Sequence, residues 1–238
     1  MKCDIIYIEG HAKSEKQANL SLETFLNRGY DAQLVPGVTP YTIDETEFSY
    51  PDLPNSRLSC FKEEDHNKYL FKKSCIFNHL RFWNRVIEDD EPRIFAEHDS
   101  ICTHRWKTTW VFDDFCFLAY DHCWKEPSVL HQFNRLVNYM RAHERQVPSP
   151  YFEGVNKFKQ DYPLKYHRET VYQNHIMTPG TVAYAMTPAG AKKLLAAVEK
   201  YGIEQSDLQI NSHVLGMTHV YPSPVKFNTE NLNTSHGW

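Results

Sequence analysis

Apolar positions recur along the chain with two different spacings, which predict alternating strands and helices. Cys3–Ile8 is a nearly continuous apolar run, as expected for a buried parallel strand. Ser14 is predicted to cap a helix that continues to about Asn27, and Gly29 follows its end. Ala32–Val35 is a second short strand. Together these elements form a strand–helix–strand unit of the mononucleotide-binding type.

A second helix and strand are predicted between positions 72 and 103. The apolar residues of this helix recur at helical spacing: Ile76, Leu80, Trp83 and Ile87. The acidic run at 88–91 and the following Pro92 end this helix. Arg93–Ala96 then has the length and composition of a short buried strand.

Two acidic residues, Glu97 and Asp99, follow this strand directly, with His98 between them. Ligands of open α/β sheets bind outside the carboxyl ends of the strands. Paired carboxylates at such an edge can face one cation, and their hard oxygens suit Mg²⁺ or Mn²⁺. Two carboxylates that merely cap a solvated turn would give the same pattern.

The C-terminal half repeats the alternation of strand and helix. Gly180–Met186 is a predicted strand, and Thr187 caps a helix that ends at Gly202. Ser206 is predicted to cap a further helix, and His219–Tyr221 to form a final strand. These elements predict an α/β fold with a mainly parallel central sheet flanked by helices.

Three further stretches carry weaker predictions. Residues 36–71 contain several prolines and acids without sustained periodicity, which predicts a mobile loop over a ligand. Trp110–Tyr120 is predicted to contain a buried strand, and Val129–Glu144 a helix.

Composition limits the classes of function. A hydrophobic content of 41% over 238 residues supports a real core, and a net charge of -4 argues against a general nucleic-acid coat. The N-terminal apolar run is too short for a signal peptide or a membrane span. Six scattered cysteines without a CxxC pair fit a reducing compartment. We therefore expect a soluble, cytoplasmic protein.

Three blocks of the chain, in order, resemble glycosyltransferase family 25, the lipooligosaccharide and collagen sugar transferases. The first block is the strand Cys3–Ile8 with Ser14-x-x-Gln17. The second is Cys75-x-x-Asn78-His79, followed by Trp83 and Glu97-His98-Asp99. The third comprises Gly180-Thr181-x-x-Tyr184, Thr187-x-x-Gly190-Ala191-x-x-Leu194 and Asp207-Leu208. Three positions depart from the family pattern: Gln17 replaces an arginine, Asn78 replaces a serine, and His98 is unusual inside the triplet. Lys13 and Lys16 are candidate substitutes for the arginine.

The resemblance implies one glycosyltransferase domain over 1–238 with a GT-A-like fold. Residues 1–130 would form the nucleotide-sugar and metal half, and residues 131–238 the acceptor half. The donor would be a UDP-sugar, with Mn²⁺ or Mg²⁺ bridging its diphosphate. Asp99 is the implied metal ligand, Glu97 the second, and His236 a candidate third by analogy with other GT-A enzymes. Asp207 matches the family's acid on the acceptor side and is the candidate catalytic base, although an acid there also suits a helix N-terminus. Residues implied for the nucleotide are Ile8, Glu9, Lys13, His79, Gly180, Thr181 and Tyr184.

The acceptor and the reaction stay open at this stage. The family favours a saccharide, such as lipopolysaccharide core. A basic segment at 131–168, with aromatic residues at 146–175, also permits a hydroxymethylated base of bacteriophage DNA. The alternatives to transfer are a non-catalytic nucleotide-sugar or glycan-binding module and a metal-dependent hydrolase. A zinc site is disfavoured, because its candidate ligands match no established spacing: His98, Cys102, His104, Cys116, His122 and Cys123.

Overall fold

The computed structural model describes residues 1–119, 153–158 and 165–228, which form a seven-stranded sheet flanked by helices. The strands are β1 (Lys2–Tyr7), β2 (Asp31–Pro36), β3 (Arg93–Glu97), β4 (Ser100–Cys102), β5 (Phe115–Phe117), β6 (Gly154–Lys157), β7 (Ala183–Met186), β8 (Met217–Tyr221) and β9 (Val225–Phe227). The helices are α1 (Ala12–Asn27), α2 (Arg57–Glu64), α3 (His66–Asp89), α4 (Pro188–Tyr201) and α5 (Ser206–Gln209).

The sheet has the strand order β2-β1-β3-β7-β5-β8-β6, and β4 pairs with β9 in a separate ribbon. β1 is parallel to β2 and β3, and β5 is parallel to β8. β7 is antiparallel to both β3 and β5, and β6 is antiparallel to β8. Five strands therefore run in one direction, and β7 and β6 run in the other. The predicted α/β class with a mainly parallel sheet is confirmed.

Helix α1 starts earlier than predicted, and Ser14 is not its cap. The His11 imidazole is the N-cap group, because its Nδ1 accepts the Ser14 N–H at 3.2 Å. The Ser14 hydroxyl instead accepts the Ile8 N–H at 2.9 Å. Ser14 thus ties the end of β1 to the first turn of α1 and fixes the loop between them.

The prediction of one long loop over 36–71 is wrong for its second half. α2 and the beginning of α3 occupy 57–71, with Ser56 and Asp65 as their side-chain N-caps. The buried Glu204 carboxylate also accepts the Arg57 and Leu58 N–H groups, both at 2.9 Å. That partner lies far away in the sequence, so local periodicity does not reveal it. The first half of the segment contacts α3 through the ion pairs Glu45–Lys73 and Glu47–Arg81.

Other boundaries were predicted with mixed success. Thr187 caps α4 and Gly202 follows its end, as predicted. Ser206 is wrong as the cap of α5, because the N-cap position is Gln205, which makes no side-chain capping bond. The strand predicted within Trp110–Tyr120 comprises only Phe115–Phe117 in the structure. The predicted helix Val129–Glu144 lies outside the described residues.

No helix among the described residues is both long and apolar enough to cross a membrane. The described cysteines are free thiols: Cys3, Cys60, Cys75, Cys102 and Cys116.

Candidate active site

The carboxylates of the acid triplet lie at the carboxyl edge of the parallel strands. β1 and β3 are in register with Ile6 opposite Glu97, so the loop after β1 and the triplet after β3 leave the sheet side by side. β7 approaches from the other side, and the Thr181 hydroxyl donates to Glu97 Oε1 at 2.7 Å. Thr181, predicted as a nucleotide contact, therefore orients Glu97.

Burial affects both carboxyl groups, since Asp99 is buried and Glu97 is partly buried. Burial, followed by repulsion from Asp99, raises the pKa of Glu97 to about 7. Burial raises the pKa of Asp99 to about 6. Two carboxyl groups this close resist ionising together, and a cation between them would remove that repulsion.

Asp99 has an unsatisfied oxygen. It is 4% exposed, and its Oδ1 has no hydrogen-bond partner among the described residues. An unpaired buried carboxylate oxygen is costly, and a metal ion is one partner that would satisfy it. The Asp99 backbone is fixed from the other side, because its carbonyl accepts the Asn228 N–H at 2.8 Å.

Glu97 and Asp99, the metal ligands predicted from the sequence, thus lie together as a pair of oxygen donors, and metal binding to them stays a prediction. The carboxylates of Glu97 and Asp99 suit Mn²⁺ or Mg²⁺. No group of three or more His, Cys, Asp or Glu side chains suited to a metal occurs in the described ranges. The predicted third ligand, His236, lies outside those ranges. The remaining coordination positions would fall to water and donor phosphate, as is usual for Mg²⁺.

The β1–α1 loop carries three of the residues predicted to bind the nucleotide. Ile8 and Glu9 directly follow β1, and Lys13 is exposed in the first turn of α1. Lys13 lies within electrostatic range of His98, whose pKa is lowered mainly by burial. The loop and the triplet therefore form opposite sides of one surface at the sheet edge.

Asp207, the predicted base, lies on α5, which packs against α3. Burial raises its pKa, and Gln205 Nε2 donates to its Oδ1 at 2.9 Å. The Lys72 ammonium lies within electrostatic range of both Asp207 and Glu97 and favours the ionised form of each. Burial raises the pKa of the Cys75 thiol to about 11, and the charges of Glu97 and Asp207 act in the same direction. The structure thus brings the two predicted carboxylate sites to one region of α3.

Lys72 and Cys75 lie near the candidate site, but the sequence alone gave neither residue a role there. They lie one turn apart on α3, in line with His79 one turn further on. That spacing is the signal that could have found Lys72. The residues it would meet, Glu97 and Asp207, depend on the tertiary fold and not on local pattern.

His79 and Tyr184 lie deeper, in the interior beneath the edge. His79 Nδ1 is 2.8 Å from the Tyr184 hydroxyl, which also accepts the Trp83 Nε1–H at 3.0 Å. His79 is 2% exposed and Tyr184 is fully buried. This polar cluster supports α3 and β7 from below. Direct contact of either side chain with a nucleotide stays a prediction, as does that of Gly180, which precedes Thr181 and has a φ of 146°.

His79 gives a pH-dependent prediction for stability. Burial lowers the pKa of His79 to about 3 in the folded protein, whereas the pKa of histidine in an unfolded chain is about 6.5. Only the unfolded chain binds the proton between these values, so stability is lost as the pH falls below about 6.5. At pH 5 the loss is about 2 kcal/mol, from roughly 1.4 kcal/mol per pH unit. We expect His79→Gln to lack this loss in chemical denaturation at pH 7 and pH 5.

The matched control is His167→Gln, which changes an exposed histidine. Its free energy of unfolding should differ from that of the wild type by the same amount at both pH values. An unchanged difference between His79→Gln and wild type at the two pH values would contradict the prediction.

Two of the three departures from the family pattern have clear structural partners. Gln17 Oε1 accepts from Asn228 Nδ2 at 2.6 Å, next to the Asn228 N–H bond that fixes Asp99. Asn78 Oδ1 accepts the Val38 N–H at 2.6 Å, and its Nδ2 donates to the Val38 carbonyl at 3.0 Å. Both residues therefore hold loops in place at the edge.

Comparison with known protein families gives a match. The model for glycosyltransferase family 25 (LPS biosynthesis protein) matches residues 21–210. A search of curated proteins found no match. The matched range includes Glu97, Asp99 and Asp207.

Proposed function

The chain belongs to glycosyltransferase family 25, and from this premise we propose that it transfers a sugar from a UDP-sugar to a saccharide hydroxyl with Mn²⁺ or Mg²⁺ as cofactor. Family membership indicates a glycosyltransferase; the UDP-sugar, the metal and a GT-A-like fold belong to the proposal. The observation that supports it best is the pair of carboxylates at the carboxyl edge of the sheet, the partly buried Glu97 and the buried Asp99.

Glu97 and Asp99 would hold the cation. When bound, the ion neutralises charge that develops on the leaving diphosphate. Thr181 keeps the Glu97 carboxylate in place through its 2.7 Å hydrogen bond. Lys13, across the edge, can add a positive charge for the diphosphate. The roles of Ile8 and Glu9 would be to contact the nucleotide through the loop that follows β1.

Asp207 would accept the proton of the acceptor hydroxyl. A base must reach that proton before its pKa matters, and Asp207 lies on the short helix that faces the Lys72 side of α3. Burial raises the Asp207 pKa and so increases its proton affinity, while Lys72 and the Gln205 amide keep the ionised form accessible.

A saccharide such as lipopolysaccharide core is the acceptor that the family favours. The description of the matched family names lipopolysaccharide biosynthesis. The basic segment that suggested a hydroxymethylated DNA base lies mostly outside the described residues. A steep dependence of acceptor binding on salt would favour DNA, because DNA binding releases counterions.

The reaction class can be tested by incubating the protein with UDP-sugars, Mn²⁺ and a lipopolysaccharide core oligosaccharide. Transfer predicts UDP release together with a sugar-extended oligosaccharide. Release of free sugar without acceptor would identify the hydrolase alternative instead. Donor binding without turnover would identify a non-catalytic binding module.

Lys72 gives a prediction that addresses the base directly. Lys72→Met removes a positive charge that lowers the pKa of Asp207, so that pKa should rise. Because the base acts in its ionised form, we expect the acidic limb of the pH profile of kcat to move to higher pH. Lys72→Arg keeps the charge and should leave the limb near its wild-type position. Coincident profiles for wild type and Lys72→Met would exclude this role.

A further inference from the structure

A cavity of about 1110 Å³ lies beside the C-terminal end of α1, away from the acid triplet. Its wall combines aromatic and basic side chains: Tyr30, Arg105, Trp106, Lys107, Trp110 and Tyr221. The volume is slightly above the roughly 300–1000 Å³ typical of small-molecule sites. The proposed donor and base residues do not line it.

The wall of this cavity is held by one buried hydroxyl. Tyr30 is 6% exposed, and its hydroxyl accepts the Trp106 N–H at 2.7 Å. The same hydroxyl donates to the His104 carbonyl at 3.4 Å. The backbone that carries residues 104–106 is therefore attached to the start of β2, which reduces the ordering needed for binding.

The two tryptophans are fixed against each other. Trp106 Nε1 donates to the Trp110 carbonyl at 3.1 Å, and the rings lie 5.5 Å apart at 80°. Trp110 is 8% exposed, whereas Trp106 is partly exposed on the cavity wall. A fixed and partly exposed indole offers a flat apolar surface for the C–H face of a sugar ring.

Arg105 supplies the positive charge of the wall. Its guanidinium carbon lies 3.5 Å from the position that a Cβ on Gly29 would take, which is an ordinary van der Waals distance, so the guanidinium packs over Gly29. No ion-pair partner of Arg105 occurs in the part of the chain that the structure describes. Lys107, in contrast, is paired with Glu153. A guanidinium without a carboxylate partner is suited to bind phosphate or carboxylate on a ligand.

The cavity is separated from the triplet by most of α1. Gln17 lies near Asp99 through Asn228, whereas Gly29 lines the cavity. From Gln17 to Asn27, the last residue of α1, ten residues at about 1.5 Å each give a separation of about 15 Å along the helix. A small ligand confined to the cavity would therefore not reach the acid triplet.

We propose that this cavity binds a negatively charged saccharide segment, with a sugar ring on Trp106 and its phosphate or carboxylate on Arg105. For the ligand class, the inference rests on the proposed sugar transfer. The segment would anchor a long acceptor at a distance from the transfer site. A nucleic acid fits less well, since it would need several phosphates neutralised and Lys107 is already paired with Glu153.

The test uses phosphorylated core oligosaccharide released from lipopolysaccharide by mild acid, and the same oligosaccharide after phosphatase treatment. Calorimetry with the full chain should show that Arg105→Gln weakens binding of the phosphorylated form by about tenfold or more. The same substitution should change binding of the dephosphorylated form less than about twofold. Trp106→Leu should weaken both forms.

The control is Arg28→Gln, which removes a nearby exposed arginine that does not line the cavity. It should bind both oligosaccharides like the wild type. Equal affinities of wild type and Arg105→Gln for the phosphorylated form, or an equal loss in Arg28→Gln, would overturn the inference. Tighter Arg105-dependent binding of a single-stranded oligonucleotide than of the oligosaccharide would also overturn it.

UDP binding with Mn²⁺ is measured on the same variants and should be unchanged. If UDP fails to bind the wild type, the proposed transfer fails, and the cavity is still judged by Arg105→Gln against Arg28→Gln on the oligosaccharide. If UDP binds but Arg105→Gln has no effect on the oligosaccharide, only the cavity inference fails.

Discussion

Asp99→Asn is expected to abolish metal-dependent binding of UDP, with a loss of affinity of about 100-fold or more. The substitution replaces a buried carboxylate oxygen that has no partner among the described residues by a neutral amide of the same shape. Removing even a group behind a metal ligand typically costs about 10–100-fold in metal affinity, so loss of the ligand itself should cost at least as much. The measurement is calorimetric titration of UDP with and without Mn²⁺ into both proteins.

Asp113→Asn is the matched control, because Asp113 is an exposed acid outside the triplet. It should bind UDP and Mn²⁺ like the wild type. Glu97→Gln should weaken metal-dependent binding too, although Glu97 already shares one oxygen with Thr181. The metal proposal would be wrong if wild-type protein bound UDP equally well without Mn²⁺, or if Asp99→Asn kept the wild-type response to the metal.

The sequence predicted the elements in which local pattern and tertiary burial agree. β1 and β3 are fully or largely buried strands, and their apolar runs indicated this directly. The Thr187-Pro188 start of α4 carries its own capping chemistry. α2 was missed because part of its N-terminal capping comes from Glu204, almost 150 positions later. Ser14 was misassigned as a cap because His11 takes that role and Ser14 bonds to Ile8.

The candidate site likewise contains residues that local sequence pattern reveals and residues that only the tertiary fold brings together. Glu97 and Asp99 could be found because the short buried strand β3 ends at Glu97 and Asp99 lies two residues beyond it, where an open sheet binds ligands. The proximity of Asp207 to them depends on the packing of α5 on α3, which no spacing encodes. The role of Thr181 as a partner of Glu97 follows from β7 being antiparallel to β3.

The departures from the family pattern do not by themselves argue for a binding module without activity. Gln17 and Asn78 each make specific hydrogen bonds that hold loops at the sheet edge. Neither substitution removes a carboxylate from the site. Lys13, one turn before position 17 in α1, stays a candidate for the charge that an arginine would supply there, and it acts on His98. The catalytic question therefore depends on Asp207.

Asp207→Asn is expected to lower kcat by about 10²–10⁴-fold, the usual contribution of a positioned general base. The amide keeps the shape and can still contact the Gln205 side chain, but it cannot accept the proton of the acceptor hydroxyl. Because Asp207 is assigned to the acceptor side, UDP binding with Mn²⁺ should stay within about twofold of the wild type. The measurement pairs the rate of UDP-sugar turnover on core oligosaccharide with calorimetric UDP binding.

The same variant separates the base from its electrostatic alternative at the start of α5. If Asp207 only favours that helix end, the substitution should cost about 0.3–1 kcal/mol in stability and leave kcat nearly unchanged. Glu199→Gln, on the exposed surface of α4, removes a carboxylate elsewhere and serves as the control for a general charge effect. A fall in kcat for Asp207→Asn alone, with intact UDP binding and a normal free energy of unfolding, assigns the proton transfer to Asp207. Normal kcat in Asp207→Asn would exclude it as the base.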